Sequence, residues 1–230
     1  MKLSDALALA TEKLAVAGVP SPQADAIWLL CHVLKTDRSD LLTIITFDQD
    51  LDPEKQQEFN LVLSRRESRE PLQHITQVAA FRTLELKVGP GVFVPRPETE
   101  QVVQYAIDYL RQLPSAGKAL DLGTGSGAIA IAIAKEVPPT KVYAVELSEA
   151  AHAYAQQNII SNQVSVELRL GAMQEVVGDL VGLLDVVISN PPYIPNSAIP
   201  IDPEVRDYDP ELALYGGEDG LDVIRDISGI

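Results

Sequence analysis

The chain has 230 residues and a mass of 24.9 kDa, room for one large domain or two modest ones, and its 46% hydrophobic and 22% charged residues exclude a disordered or collagen-like polymer. No apolar run reaches the ~18–20 residues of a membrane span, and the single cysteine, Cys31, excludes a disulfide framework or a cysteine-based zinc site. The formal charge is −15, with 9 acidic against 2 basic side chains in 200–230 alone, so a phosphate backbone is a poor partner.

The first stretch, MKLSDALALATEK, carries acids among its apolar residues and reads as an amphipathic helix rather than a signal peptide, so a cytoplasmic location is expected. Ser21-Pro22 supplies an N-cap and first-turn proline for a helix with Ala26, Ile27, Leu29, Leu30, Val33 and Leu34 on one stripe. Ser39 is the expected cap of a helix over 40–46. Asp52-Pro53 opens another, with Phe59, Leu61, Val62 and Leu63 as its apolar face. His32 is expected at a core or boundary position, and His152 on an exposed helix face. Residues 1–72 thus predict a small helical bundle.

AAFRTLELKV then alternates apolar and polar residues, Gly89-Pro90-Gly91 turns the chain, and VFV follows. The pattern predicts a β-hairpin linker over 73–97. A helix with Val102, Val103, Ala106, Ile107 and Leu110 starts near Glu98 or Thr99. From Lys118 the pattern becomes KALDL strand, alanine-rich helix, KVYAVE strand, helix capped by Ser148, VSVELRL strand and LLDVVIS strand. Alternation at this spacing predicts an α/β fold with a parallel, doubly wound sheet over 98–230.

Gly123, Thr124, Gly125, Ser126 and Gly127 form a glycine turn between the first of these strands and its helix. Such a turn bends tightly, lets a ligand approach the backbone, and sits at a helix N-terminus with free N–H groups. Glu146 ends the next strand, where its carboxylate can accept from both hydroxyls of a ribose. The turn satisfies a relaxed dinucleotide fingerprint, fits S-adenosylmethionine better through its third close glycine, and also suits plain helix–strand packing.

Asn190, Pro191, Pro192 and Tyr193 break the chain after the fourth strand of the sheet. The prolines keep the backbone extended and leave carbonyls free. Asn190 Oδ1 and the Pro191 carbonyl can accept two hydrogen bonds from one planar –NH₂, and Tyr193 offers a ring face against it.

Together, DLGTGSGAIAIAIA and NPPY resemble a class I S-adenosylmethionine-dependent N-methyltransferase. PLQHIT (71–76), VGPGVFVPRPETE (88–100) and ELALYGGEDGLD (211–222) are similar to the release factor glutamine methyltransferases of the HemK type. The resemblance implies a helical release-factor-binding domain and a Rossmann-like methyltransferase domain. It implies methylation of the side-chain amide nitrogen (N5) of the glutamine in the Gly-Gly-Gln motif of class 1 peptide chain release factors. S-adenosyl-L-methionine is then the methyl donor, bound by the 123–127 turn, Glu146, Ala172 and Asn190, with Asn190, Pro191, Pro192 and Tyr193 as the catalytic set. No metal, membrane or direct nucleic-acid partner is expected. Gln77 stands where the family often has glycine, Gly171 where many relatives carry an acid, and Glu146 where aspartate is more common.

The alternatives are a DNA or RNA amino-methyltransferase, which also uses NPPY, and an inactive relative that only binds the donor. Arg96 and Glu98 either shape the mouth of the site or pair on the surface. The acidic run 202–226 is either a solvated loop or a face for a basic release factor. A family sheet has seven strands and this chain supplies four, so a C-terminally truncated methyltransferase domain is expected, with the fourth strand at an open edge that permits an edge-mediated dimer.

Overall fold

Five helices account for the first unit of the computed structural model, which describes residues 1–47 and 49–229 and divides into Met1–Thr76 and Gln77–Ile230. They are α1 (Leu3–Val16), α2 (Pro22–Leu34), α3 (Arg38–Thr46), α4 (Pro53–Glu67) and α5 (Leu72–Thr76). Leu3, Ala6, Ala10 and Leu14 recur at helical spacing on α1 and share one core with Leu29, Leu30 and Val33 of α2 and Phe59, Val62 and Leu63 of α4. Full burial of each large apolar side chain contributes about 1.5–3 kcal/mol, so this stripe rather than helix propensity holds the bundle.

The expected caps hold at α4 and fail at α3. Asp52 accepts the Glu54 N–H at 2.9 Å, with Pro53 in the first turn. Pro22 also opens α2, but Ser21 makes no side-chain capping bond. Ser39 caps nothing: α3 starts at Arg38, and Asp37 accepts the Asp40 N–H at 2.8 Å. Leu61 is exposed, because two residues from Phe59 is about 200° around the helix. His32 is exposed as well, on the outer face of α2.

The second unit opens with β1 (Val78–Phe81) and β2 (Leu84–Lys87), paired antiparallel with Phe81 opposite Leu84. The hairpin therefore turns at Arg82-Thr83, not at Gly89-Pro90-Gly91, and 92–94 form no strand. Arg82 adopts a positive φ of 52° and is held there by Glu136, Gln104 and Glu100. Phe81, Leu84 and Leu86 belong to the main core of this unit, so 73–97 is no separate linker: it is divided between the two units.

Next come α6 (Pro97–Gln112), β3 (Lys118–Leu122), α7 (Ala128–Glu136), β4 (Lys141–Glu146), α8 (Glu149–Ser161), β5 (Val166–Leu170), α9 (Met173–Val176) and β6 (Val186–Ser189). Three short helices follow: α10 (Pro203–Tyr208), α11 (Glu211–Leu214) and α12 (Asp222–Ser228). The four strands β3–β6 form one parallel sheet in the order β5-β4-β3-β6. Side chains alternate across it. Ala119, Val142, Ala144 and Ile188 pack with α6, α7 and the hairpin, while Leu120, Leu122, Tyr143 and Val145 pack with Val177 and Leu180. Both faces are thus covered, as a parallel sheet requires. Val102 is the one expected core residue of α6 that points outward. The helical region followed by a parallel α/β sheet is the architecture expected for a class I methyltransferase.

Candidate active site

Strand register creates the site. β3 pairs with β4 on one side and β6 on the other, so the strand order reverses at β3, the switch point at which a crevice opens between the loops that follow β3 and β6. Leu122 pairs with Ser189, and Ser189 Oγ donates to the Leu122 carbonyl at 2.6 Å. Gly123 and Asn190 are therefore the next residues on adjacent strand ends.

The glycine turn is pinned to β4, since the Gly123 and Thr124 N–H groups both donate to the Val145 carbonyl at 3.0 and 2.9 Å. Gly123 (φ 69°) and Gly125 (φ 57°) are left-handed, and a Cβ at either would meet no atom within 4 Å. A side chain there would project into open space that a ligand can use instead. Glu146 is buried, with Oε2 accepting from Gly125 N–H at 2.7 Å and Oε1 from Leu147 and Ser148 N–H at 2.9 and 2.8 Å. Its oxygens keep further lone-pair capacity for hydroxyl donors. These open glycines beside a fixed carboxylate fit the nucleoside donor that the resemblance implies.

Asp121 was not among the expected site residues, although an acid just before a glycine turn was a readable signal. It is fully buried under that turn. Its Oδ2 accepts from the Thr124 hydroxyl at 2.5 Å and from Ala130 N–H at 3.2 Å, and its Oδ1 has no partner among the described residues. Burial pushes its carboxyl up to about 7, opposed by those two hydrogen bonds and reinforced by the charge of Glu146.

One cavity is lined by Gly123, Thr124, Gly125, Ser126, Glu146 and the whole turn Asn190, Pro191, Pro192 and Tyr193. Gly127 and Ala172 lie outside its lining. Gly127 instead caps α7, where a Cβ would come 3.0 Å from Ile131. Ala172 precedes α9, beyond the hydrogen bond from Gly171 N–H to the Glu146 carbonyl at 2.9 Å.

The 190–193 turn is braced by the segment 211–220. Ile194 N–H donates to the Leu214 carbonyl and Gly216 N–H returns to the Ile194 carbonyl, both at 2.9 Å. A Cβ on Gly216 would lie 2.6 Å from the Pro192 carbonyl oxygen, so this backbone approach admits only glycine. Among the described residues, Asn190 Oδ1 and the Pro191 carbonyl accept no hydrogen bond, and Asn190 Nδ2 donates to Thr99 Oγ1 at 3.3 Å. Tyr193 is 66% exposed at the mouth.

The opposite wall comes from Phe93, Arg96 and Thr99. Arg96 lies 4.8 Å over the Phe93 ring and donates to Asp209 Oδ2 at 2.6 Å, while exposed Glu98 stays outside the cavity lining. The Asp209 side chain is wholly buried, and burial pushes its carboxyl up to about 6 although Arg96 draws it down. Phe93 and Thr99 were not singled out as site residues, although both lie in VGPGVFVPRPETE, one of the stretches that carry the resemblance.

The PrmC N-terminal domain model matches residues 5–76, and the methyltransferase small domain model matches residues 84–201. A release factor glutamine methyltransferase of Streptomyces coelicolor is 51% identical over 95% of this chain and 76% of its own length. One from Mycolicibacterium smegmatis is 45% identical over 98% of this chain and 78% of its length. Among solved structures, a Pyrococcus abyssi tRNA (uracil-54, C5)-methyltransferase in complex with S-adenosyl-L-homocysteine is similar over 50% of this chain and 27% of its own, at 23% identity and a TM-score of 0.41. On the two domain matches and these relatives, the chain belongs to the release factor glutamine methyltransferase family.

Proposed function

We propose that this protein transfers the methyl group of S-adenosyl-L-methionine to the side-chain amide nitrogen of the glutamine in the Gly-Gly-Gln loop of a class 1 peptide chain release factor, a modification of a protein that acts in translation termination. The observation that carries this reading is the pair of unsatisfied acceptors, Asn190 Oδ1 and the Pro191 carbonyl, lining the same cavity as the open glycine turn. Two acceptors side by side suit the two N–H bonds of one amide.

An amide nitrogen is a weak nucleophile because its lone pair is delocalised into the carbonyl. The donor supplies an activated methyl: the nitrogen pair forms the new N–CH₃ bond as the S–CH₃ bond breaks, sulfur keeps the bonding pair, and a nitrogen proton leaves to water. The protein's part is positioning. Asn190 and the Pro191 carbonyl hold the –NH₂ and stabilise the positive charge that builds on nitrogen, and Tyr193 lies against the amide plane. Fixing the reactants at ~3–3.5 Å in line removes most of the entropic cost of encounter, and oriented acceptors at a charging nitrogen contribute several kcal/mol more. The glycine turn and Glu146 hold the nucleoside end. The −15 charge and the absence of any lysine, or of any arginine but Arg96, from the cavity lining favour a protein substrate over nucleic acid. A cytoplasmic setting follows from a release-factor substrate.

The test is transfer of labelled methyl from S-adenosylmethionine to a release factor, to its Gly-Gly-Gln→Gly-Gly-Ala variant, and to DNA and RNA. Label in the release factor alone is the expected result. Label in nucleic acid, or donor binding without transfer to anything, overturns the reading.

A further inference from the structure

We infer that Arg96 is a specificity-determining residue that donates to main-chain carbonyl oxygens of the two glycines preceding the target glutamine, with Asp209 holding it in place; this rests on the reading of the substrate as a Gly-Gly-Gln loop. Glycines offer no side chain to recognise, so a protein that selects them must read their main chain, and their carbonyls need donors. Among the described residues, Arg96 is the one side chain in the cavity lining that can only donate, with five N–H bonds and no acceptor. Its Nη2 donates to Asp209 Oδ2 at 2.6 Å, and its side chain makes no other hydrogen bond among the described residues. The rest of the planar fork is uncommitted, on a side chain that is only 35% exposed.

The surroundings decide which acceptor fits. The Asp209 side chain is wholly buried and cancels the guanidinium charge, so Arg96 does not oppose the sulfonium of the donor or the charge that builds on nitrogen. Burial pushes the Asp209 carboxyl up, Arg96 draws it down, and the charges of Asp202 and Glu204 raise it again, so the pair sits in a negative field. A further carboxylate, such as that of the donor, is disfavoured there, and a neutral carbonyl is not. The carbonyl of the reacting amide is a poor choice as well, because a donor on it would draw the lone pair further from nitrogen. The carbonyls of the adjacent glycines are left. The fork is held for them: Arg96 lies 4.8 Å over the Phe93 ring, and Asp209 belongs to the segment whose Val205, Leu212 and Leu214 line the same cavity. Apolar walls of this kind strengthen the hydrogen bonds made beside them.

The experiment pairs Arg96→Met, which keeps the stem and removes the donors, with a release factor assembled by ligation so that each glycine carbonyl in turn is a thiocarbonyl, a weaker acceptor. In Arg96→Met, KM for the release factor is expected to rise about tenfold or more, the scale of losing charge-assisted hydrogen bonds, with kcat and the dissociation constant of the donor within about threefold of the parent. A thiocarbonyl at one or both glycines is expected to raise KM about fivefold with the parent enzyme and less than about twofold with Arg96→Met, a difference that a merely structural role for Arg96 would not produce. Where Arg96→Met does not fold, the thiocarbonyl series on the parent decides. A KM in Arg96→Met within about twofold of the parent, a loss of donor affinity in its place, a parent indifferent to both thiocarbonyls, or equal thiocarbonyl effects on parent and variant overturns the inference alone. If the parent transfers no methyl to a release factor, the proposed function falls and takes the inference with it.

Discussion

Asn190 has one engaged donor and one free acceptor, so its truncation tests the acceptor directly. Asn190→Ala is expected to lower kcat by 10²-fold or more, the scale of losing one preorganised group at a charging atom. Labelled donor is expected to bind still, as measured by equilibrium dialysis, because the glycine turn and Glu146 remain. Gln77 offers a different kind of test. It keeps a left-handed backbone, φ 61°, with a side chain present. The left-handed region costs an L-residue about 1–2 kcal/mol, and glycine returns about 0.5–1 kcal/mol of that as lost chain entropy. Gln77→Gly is therefore expected to stabilise the fold by about 0.5–1 kcal/mol, read as a raised midpoint in urea. At Asp121 the folded-state carboxyl titrates at about 7 against an ordinary 3.8. The folded form then keeps a proton that the unfolded chain releases, so this contribution to stability is complete below about 3.8 and is lost as pH rises to about 7. Asp121→Asn does not titrate. Its unfolding free energy relative to the parent is expected to climb with pH across that window, by at most about 1.4 kcal/mol per pH unit, in urea titrations at pH 5, 6 and 7.

Caps and turns separate what local sequence specifies from what it leaves open. Asp37 and Ser39 are both capping residue types within three positions of each other, and only the structure shows that α3 begins after the first. Asp37→Ala is expected to cost about 1 kcal/mol, while Ser39→Ala stays within a few tenths, both measured by denaturant unfolding. The hairpin misled for a related reason. Phe81 and Leu84 are three positions apart, so the apolar–polar alternation slips by one residue at Arg82-Thr83. That slip marks the turn, but a pattern that runs β1 and β2 together across it gives the turn to the Gly-Pro-Gly beyond them. The parallel strands were legible because β3, β4 and β6 carry short apolar runs, as in VYAV and VVI, and β5 alternates apolar and charged residues, each set off by turn residues or a helix. Periodicity at α6 and α4 was legible in type, but not to the single residue, as Val102 and Leu61 show.

At the scale of the sheet, the two motifs mark two strand ends, and the order β5-β4-β3-β6 explains why they meet. The glycine turn and the 190–193 turn are 60-odd residues apart in the chain and adjacent through the pairing of Leu122 with Ser189. The far wall was legible only in part: shaping the mouth of the site was one of two readings of Arg96, but its partner Asp209 lies 113 residues on and neither stretch signals the other. The acidic run is also more structured than its composition suggests. Asp207 pairs with Arg206, Asp219 and Asp222 pair with Arg225, and Asp209 is buried. β6 pairs only with β3 among the described residues, and Val187 on it is 45% exposed. We propose that self-association, where it occurs, runs through this edge. Val187→Lys is then expected to abolish concentration-dependent dimerisation in sedimentation velocity while leaving the circular dichroism unchanged.

The brace that 211–220 lays against the 190–193 turn has a consequence for how the molecule comes into being. During synthesis the glycine turn emerges about ninety residues before Gly216, and the sheet that carries it has all four strands by Ser189. On the proposed function, the part of the donor pocket formed by the glycine turn and Glu146 can therefore mature on a chain whose 190–193 turn is still unbraced. A nascent enzyme would bind its small ligand before it could grip its large one, and a ribosome stalled between these points would hold a receptor with no reaction to perform.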